Sequence, residues 1–278
     1  ILAGLAERIY RDRPETGRAV LLFQPAEEVE QGARAVMEDP GFRDIEPDYI
    51  FALHNIPGAS MHSVLLKTGS FAAASRGMTV RLSGRTSHAG EPEKGINPAG
   101  AVSEIICRMK QLNDAPGTFG DVAFSTVIHI LLGEISFGTS PGYAEMRFTL
   151  RACENSDMDL LSVEAERIVE ETAREERLGH DIAYCEIFPA TVNHETCAEW
   201  IRQSAETLQL PVEIIEKPFR WSEDFGYYTA KYKGGFFGLG SGEEQPALHN
   251  PDFDFPDELI GTGMMLFYNL YRKLNFTH

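Results

Sequence analysis

The hydrophobic pattern of this chain changes character twice along its length, and that change restricts the folds it can adopt. Residues 19–23 and 49–53 are continuous apolar runs of strand length, typical of strands buried on both faces of a parallel sheet. From about Met78, apolar and polar residues alternate, which predicts strands with one solvated face. After Pro189 the hydrophobic pattern of the first segment returns. The sequence therefore predicts two domains of different construction, one inserted into the other.

The predicted inserted domain, residues 76–187, contains a complete set of alternating strands and amphipathic helices. Its first strand begins near Met78, and its first helix opens at Asn97 and Pro98, an N-cap residue followed by a proline suited to the first turn. Strands near 121–132 and 143–152, a charged helix at about 157–178 and a strand near 181–188 follow. This β-α-β-β-α-β order is that of the ferredoxin-like split motif, an α+β fold.

The flanking segments, residues 1–75 and 188–278, are predicted to form one discontinuous, doubly wound α/β domain. Polar clusters follow its first two buried strands directly, and open α/β sheets place their sites at such strand ends. The predicted helices lie at 1–12, 32–38, 194–208, 222–230 and 257–274, and the predicted strands at 19–23, 49–53, 212–216 and 235–239.

The composition excludes several classes of partner. The 278 residues include 25 Lys and Arg against 42 Asp and Glu, a formal net charge of −17 that repels nucleic acid and anionic lipid. No apolar run reaches the roughly 20 residues that a transmembrane helix needs, and the first residues do not form a signal peptide. A small-molecule partner is therefore expected. The scattered cysteines favour free thiols in a reducing cytoplasm; they are Cys107, Cys153, Cys185 and Cys197.

Two polar clusters at strand ends could carry chemistry. Glu27 and Glu28 are neighbours whose side chains point in different directions, so one can bind a metal ion while the other takes a proton from water. A solvated helix N-terminus is the alternative interpretation of this pair. His54 offers an imidazole, a common metal ligand, although a purely structural histidine is the alternative there.

Two further histidines stand in suggestive surroundings. His249 is followed by Pro251 and by Asp252 and Asp254, whose carboxylates could orient its second ring nitrogen, although an acidic surface turn has the same composition. One carboxylate and two imidazoles would suit zinc or manganese. His88 follows the first strand of the inserted domain, where it could be a turn residue or could reach a site on another domain or subunit.

Several segments, in order along the chain, resemble the metal-dependent amidohydrolases of peptidase family M20. That family includes hippurate hydrolase, N-acyl-amino-acid amidohydrolases and plant auxin-conjugate hydrolases. The matching segments span nearly the whole chain and are LFQPAEE at 22–28, ALH at 52–54, SHA at 87–89, GINP at 95–98, SEDF at 222–225, LHNP at 248–251 and FDF at 253–255. The resemblance implies a discontinuous catalytic domain and an inserted lid that also forms a homodimer.

The resemblance also implies a role for each candidate. Glu27 corresponds to the general base that takes a proton from water. The metal ligands would be Glu28, His54 and His249, and the cofactor two zinc, manganese or cobalt ions per site. His88 corresponds to the lid histidine that, in dimers of the family, reaches the partner's active site and stabilises the oxyanion.

Other residues are expected to support the site. We expect Asn97, Gly142 and Tyr143 to contact the substrate. Glu223 and Asp224 are expected to lie behind the metal ligands, in a segment that the sequence predicts to be a helix N-cap.

In one respect the chain departs from the family pattern. Family members carry a Cys-Gly-His-Asp-Gly-His segment just before the helix that starts here at Ile1, and its Cys and first His complete the metal pair. No such segment occurs in these residues. The sequence therefore predicts a catalytic domain that is incomplete on its N-terminal side, holds one metal ion or none, and has little or no activity.

The leading functional prediction is hydrolysis of the amide bond between an acyl or aryl-acyl group and an amino acid. A non-catalytic dimerising or ligand-binding relative is one alternative, and a dipeptidase or carbamoyl-amide hydrolase of the same superfamily is another. The QPAEE segment and a His rather than an Asp at position 54 favour the aminoacylase-like branch. No Gly-x-Ser-x-Gly motif and no phosphate-binding glycine loop is present.

Overall fold

The computed structural model describes residues 1–14, 17–27, 32–115 and 117–276 and shows a mixed α/β protein, as predicted. The helices are α1 (Leu2–Arg11), α2 (Gly32–Glu38), α3 (Pro40–Arg43), α4 (Ala99–Asn113), α5 (Asn155–Glu175), α6 (Glu195–Thr207), α7 (Gly226–Thr229) and α8 (Glu258–Asn275). The strands are β1 (Tyr49–Ile56), β2 (Val64–Leu66), β3 (Gly69–Ala72), β4 (Ala74–Ser83), β5 (Ser87–His88), β6 (Ala123–Leu132), β7 (Thr139–Ser140), β8 (Tyr143–Ala152), β9 (Gly179–Phe188), β10 (Thr191–Asn193), β11 (Val212–Ile214) and β12 (Lys233–Gly240). Within the described residues, no helix combines the length and the apolar character that crossing a lipid bilayer requires.

The chain divides into two compact units. The first comprises Ile1–Phe71, Thr191–Phe219 and Glu223–His278, and the second comprises Ala72–Ala190 and Arg220–Ser222. The chain thus leaves the first unit after Phe71 and returns to it at Thr191, with a short return to the second unit at Arg220–Ser222.

The main sheet of the first unit has the strand order β1-β12-β2-β11. Strand β1 runs parallel to β12 without a register shift, from Tyr49 opposite Lys233 to Ile56 opposite Gly240. Strand β2 is antiparallel to β12, so the sheet is mixed. Because β1 and β12 are parallel, their carboxyl ends lie side by side, and His54 is near that edge.

The first unit is stabilised by helices α6 and α8 packed on this sheet. Its buried cluster contains Val64, Leu66, Ala198, Ile201, Ala205, Phe237, Leu239, Leu259, Leu266 and Leu270. Full burial of one such side chain contributes about 1.5–3 kcal/mol relative to exposure. A smaller cluster joins α1 to α8, where Leu5 packs against Tyr268 and Tyr271. The predicted helix at residues 1–12 is therefore confirmed, and its apolar face packs on the closing helix.

The second unit contains an antiparallel sheet of order β6-β8-β4-β9 with helices α4 and α5 against one face. Alternate residues of β4 point to the helices, which is why Met78, Val80 and Leu82 are fully buried. In chain order the main elements are β4, α4, β6, β8, α5 and β9, so the predicted β-α-β-β-α-β order is confirmed.

The predicted buried strand at residues 19–23 is wrong. These residues form no strand, and Val20 and Phe23 are 41% and 67% exposed. An apolar run becomes a strand only where a neighbouring strand supplies hydrogen-bond partners for its backbone. Within the described ranges, no strand pairs with residues 19–23, and β1 pairs only with β12.

Candidate functional site

The segment that carries Glu27 is held at both ends by one buried carboxylate. Asp224 is 3% exposed, and its Oδ2 atom accepts hydrogen bonds from Gln24 Nε2 at 2.7 Å and from the backbone N–H of Ala33 at 2.8 Å. Gln24 precedes Glu27, and Ala33 follows it in the first turn of α2. Burial raises the pKa of Asp224 above its ordinary value, and the two donors oppose that rise.

The other side of the Gln24 amide is also fixed. The Tyr228 hydroxyl donates a hydrogen bond to Gln24 Oε1 at 2.7 Å. Because a carboxylate can only accept, the amide nitrogen must face Asp224 and the amide oxygen must face Tyr228. Gln24 is thus held between two groups that lie about 200 positions away in sequence.

Gly32 permits the same segment to fold back on itself. A Cβ atom added to Gly32 would lie 2.1 Å from the Pro25 carbonyl oxygen and 2.5 Å from Gln24 Nε2. No other residue fits there without displacing backbone, so the close approach of residues 24–25 to the start of α2 requires glycine.

Glu27 itself is exposed. It follows Ala26, which has a φ of 60°, a conformation that costs energy for any residue except glycine and that is concentrated at functional sites. Glu28, the neighbouring predicted ligand, lies outside the described residues.

His54, near the end of β1, has the tautomer that a metal ligand needs. Its Nδ1 atom lies 2.6 Å from the backbone carbonyl oxygen of Asn55. A carbonyl accepts hydrogen bonds only, so Nδ1 carries the proton and a neutral ring has its lone pair on Nε2. That Nε2 atom is 3.8 Å from Glu223 Oε1, and Glu223 is 8% exposed. The structure therefore brings together His54 and Glu223.

The predicted helix N-cap at Ser222, Glu223 and Asp224 is wrong. Helix α7 begins at Gly226, and its N-cap residue, Phe225, has no side chain able to cap it. Ser222 Oγ instead accepts a hydrogen bond from Arg151 Nη1 at 3.0 Å. The buried carboxylates of this segment bind partners outside α7, because Asp224 is directed at Gln24 and Ala33.

His249 lies in an exposed segment that follows β12. Its backbone has a φ of 66°, in the left-handed region that few residues other than glycine adopt and in which Asn, Asp and His are enriched. Turns surround it, with Asn250 N donating to Ala247 O at 3.2 Å and Phe253 N donating to Asn250 O at 3.0 Å.

The predicted metal ligands do not form a visible cluster. In residues 1–14, 17–27, 32–115 and 117–276, no three His, Cys, Asp or Glu side chains lie close enough to hold one metal ion. The grouping of His54 and His249 with Glu28, which is outside these ranges, stays a prediction.

In the second unit, a two-stranded ribbon of β5 and β7 carries His88, which pairs with Thr139. His88 is exposed, and its Nδ1 atom accepts a hydrogen bond from the Gly90 N–H at 3.0 Å. The neutral ring therefore carries its proton on Nε2, where it is a hydrogen-bond donor.

The residues predicted to contact substrate border the same ribbon. Asn97 Nδ2 donates to Ser140 Oγ at 3.1 Å, and Asn97 Oδ1 accepts from Ala99 N at 2.9 Å, at the start of α4. A Cβ atom at Gly142 would lie 2.4 Å from the backbone nitrogen of Thr86, so the chain is closely packed there.

Tyr143 is 38% exposed, and its hydroxyl lies 3.4 Å from Glu145 Oε2. Ser140 pairs with Ser87, the residue before His88, so the ribbon brings Asn97 near His88.

Sequence reasoning missed the part that Gln24 and Tyr228 play. Gln24 belongs to the quoted LFQPAEE segment, but nothing in its spacing indicates a partner near position 224. Tyr228 falls in an aromatic stretch whose pattern is that of core packing, and indeed it is 2% exposed and packs on Phe42 and Phe225.

Comparison with known proteins identifies the family to which the sequence is similar. The chain matches the model of peptidase family M20/M25/M40 over residues 1–273. It is 27% identical to the hippurate hydrolase of Campylobacter jejuni over 271 residues, which are 97% of this chain and 70% of that protein. It is 26% identical to an IAA-amino acid hydrolase of Arabidopsis thaliana over 276 residues, 96% of this chain and 62% of that protein. The chain thus spans 62% to 70% of the length of these two relatives.

A solved structure shares the fold. The YXEP protein of Bacillus subtilis, described as a dinuclear metal binding peptidase of the M20 family, superposes with a TM-score of 0.82 at 22% identity. The match covers 100% of this chain and 71% of that one. At this level of identity the likeness shows a common fold.

Proposed function

Because this chain belongs to peptidase family M20/M25/M40, a family of hydrolases, we propose that it hydrolyses the amide bond joining an acyl or aryl-acyl group to an amino acid. The observation that carries the proposal is the family match over residues 1–273. The names of the relatives, hippurate hydrolase and IAA-amino acid hydrolase, support acyl amino acids as the substrate class.

Glu27 is the proposed general base. Its carboxylate is exposed on a segment whose two ends are fixed by Asp224, so it can meet a substrate while keeping a defined position. In this role it takes a proton from the attacking water and delivers it to the leaving amine nitrogen. Such proton transfer typically contributes about 10²–10⁴-fold to the rate.

Glu28, His54 and His249 are the proposed ligands of a divalent cation. When bound, zinc, manganese or cobalt would supply the Lewis acidity that makes water more acidic and polarises the amide carbonyl. The donor chemistry of His54 fits this group, because the Asn55 carbonyl fixes the proton on Nδ1 and so leaves the lone pair of a neutral ring on Nε2. The resemblance to the family implies two cations per site, whereas the ligands present in this sequence predict one or none.

His88 is the proposed stabiliser of the developing oxyanion, acting on the site of a second copy of the chain. The hydrogen bond from Gly90 holds the ring so that Nε2–H can donate. Asn97, Gly142 and Tyr143, which border the same ribbon, are the proposed substrate contacts.

A homodimer through the second unit is part of the proposal, and the edge strand β6 supports it. β6 lies at one edge of its sheet and contains no Lys, Arg, Asp or Glu, although exposed edges normally carry such charges. Its half-exposed apolar residues are Val127, Ile128, Ile130, Leu131 and Leu132. The opposite edge strand, β9, carries Asp181 and Glu186. In a chain of net charge −17, an uncharged edge adds no like-charge contact at the place where two copies would meet.

The test is to assay the natural full-length protein with added zinc, manganese or cobalt on hippurate and on N-acetyl amino acids. We expect release of the free amino acid, and loss of that activity with a chelator. Preferred cleavage of dipeptides or of N-carbamoyl amino acids would instead support the related hydrolase functions. Absence of turnover on all three classes, with no metal bound, would support a non-catalytic relative.

The proposed compartment is the reducing cytoplasm. Cys107, Cys153, Cys185 and Cys197 are all free thiols in the structure, as such a compartment would keep them.

A further inference from the structure

We propose that Asp224 is a positioning residue that ties Gln24 to the start of α2 at Ala33, and thereby sets the location of Glu27. This inference rests on the proposed function for its catalytic consequence. The structural part, that Asp224 clamps the segment, can be tested without any turnover.

The geometry of the clamp is unusual because one oxygen atom holds both ends of the segment. Asp224 Oδ2 accepts from Gln24 Nε2 at 2.7 Å and from Ala33 N at 2.8 Å. Both distances are those of charge-assisted hydrogen bonds, which are roughly twice as strong as bonds between neutral groups. Glu27 lies between the two donors in sequence.

The groups around Asp224 reinforce its two hydrogen bonds. Asp224 is 3% exposed, so loss of its carboxylate would leave the Ala33 N–H and the Gln24 amide without an acceptor in a buried place. The Tyr228 hydroxyl holds Gln24 from the other side at 2.7 Å, which prevents the amide from rotating away. Gly32 allows Pro25 and Gln24 to approach the start of α2. The hydrogen bonds of Asp224, the hydrogen bond of Tyr228 and the close approach at Gly32 therefore all hold Gln24 near the start of α2.

Asp224 and its neighbour Glu223 have different contact partners. Glu223 Oε1 lies 3.8 Å from His54 Nε2, whereas Asp224 is directed at Gln24 and Ala33. Two adjacent buried carboxylates thus contact two different segments, Glu223 the end of β1 at His54 and Asp224 the residues around Glu27. Asp224 therefore acts on the reaction indirectly, through the position of Glu27.

The chain offers a matched control in Asp157. It is 7% exposed, and its carboxylate accepts from Gly120 N at 3.1 Å and from Asp121 N at 3.0 Å, so it also holds a loop by two donors. It lies in the second unit, on α5. Substitution of Asp157 therefore carries a comparable loss of buried hydrogen bonds without touching residues 24–33.

The experiment compares Asp224→Ala, Asp224→Asn and Asp157→Ala in the full-length protein, with hydrogen exchange of the Ala33 amide as the first measurement. We expect exchange at Ala33 to accelerate at least about tenfold in Asp224→Ala, to recover in large part in Asp224→Asn, which retains an acceptor oxygen, and to be unchanged in Asp157→Ala. If Asp224→Ala does not fold, Gln24→Met removes one of the two bonds and keeps the volume, and faster exchange is expected there too. Unchanged exchange at Ala33 in folded Asp224→Ala, or in Gln24→Met where Asp224→Ala does not fold, would overturn the proposal.

The second measurement is kcat and KM for an N-acyl amino acid. We expect Asp224→Ala to lower kcat by about 10²-fold with KM changed by less than about threefold, because a displacement of about 1 Å in a catalytic group has that effect on rate. An equal fall in kcat for Asp157→Ala would overturn the positioning role. If the unsubstituted protein hydrolyses no acyl amino acid, the proposed function fails, while the exchange result still decides whether Asp224 clamps the segment.

Discussion

The Nδ1 atom of His88 accepts a hydrogen bond from the backbone N–H of Gly90 at 3.0 Å, and this one contact determines which ring nitrogen can donate. With Nδ1 occupied as an acceptor, the neutral imidazole presents Nε2–H to its surroundings. The ring is exposed and lies on a two-stranded ribbon, with its orientation fixed by Gly90. A fixed donor on an exposed ribbon is what stabilisation of an oxyanion on another molecule requires.

We therefore expect His88→Ala to lower kcat by about 10²–10³-fold, the usual loss for one oxyanion donor. Its melting temperature should stay within about 2 °C of the unsubstituted protein, because surface substitutions usually change stability by less than 0.5 kcal/mol. His180→Ala, an exposed histidine on β9, is the matched control and should retain full activity. Equal activity of the two variants would remove His88 from the mechanism.

Glu27→Gln tests the general base directly. The amide cannot accept the proton of the attacking water, so we expect kcat to fall by about 10²–10⁴-fold. Glu27 is exposed, so the free energy of unfolding should change little. Glu38→Gln, which only breaks an exposed pair with Arg34 on α2, is the control. Retention of more than about a tenth of the activity in Glu27→Gln would assign the base to another residue.

Much of the fold could be predicted from periodicity because the information is local. Helix α2 was predicted at residues 32–38, and β8 at 143–152, at the observed bounds. The failure at residues 19–23 has a different origin, since an apolar run carries no information on whether a neighbouring strand is available to pair with it. Short strands such as β2 and β10, of three residues each, are below the length at which alternation can be recognised.

Some features of the candidate site could likewise be predicted from the sequence and others could not. Spacing and strand ends indicated Glu27 and His54, because each directly follows or ends a predicted strand. The contact between Gln24 and Asp224 joins residues 200 positions apart, and only the folded chain reveals it. The conformation of His249, with a φ of 66°, is likewise not predictable from the sequence, since only a few per cent of residues other than glycine adopt it even though histidine is enriched among them.

The thiols provide a test of the fold that is independent of function. Burial raises the pKa of Cys197 to about 11, and burial also raises the pKa of Cys153, whereas Cys107 and Cys185 are exposed. Because the thiolate is the reactive form, we expect iodoacetamide at pH 8 to modify Cys107 and Cys185 at least about tenfold faster than the other two. Mass spectrometry after timed labelling gives the rates, and labelling in guanidinium chloride should equalise all four. Rapid labelling of Cys197 in the native protein would contradict its burial.

Substitution on β6 tests the proposed dimer. Ile128 is 61% exposed at the bulge of this edge strand, and a lysine there would place a positive charge on each side of a two-fold contact. We expect Ile128→Lys to shift the mass in solution from twice the chain mass of 30.9 kDa to that of a single chain, with the second unit still folded because the side chain is not in its core. Val163→Lys, 58% exposed on α5, should remain a dimer.

If His88 serves the partner's site, Ile128→Lys should also lose activity in proportion to the dissociated fraction. Full activity in a monomeric variant would place the oxyanion donor within one chain.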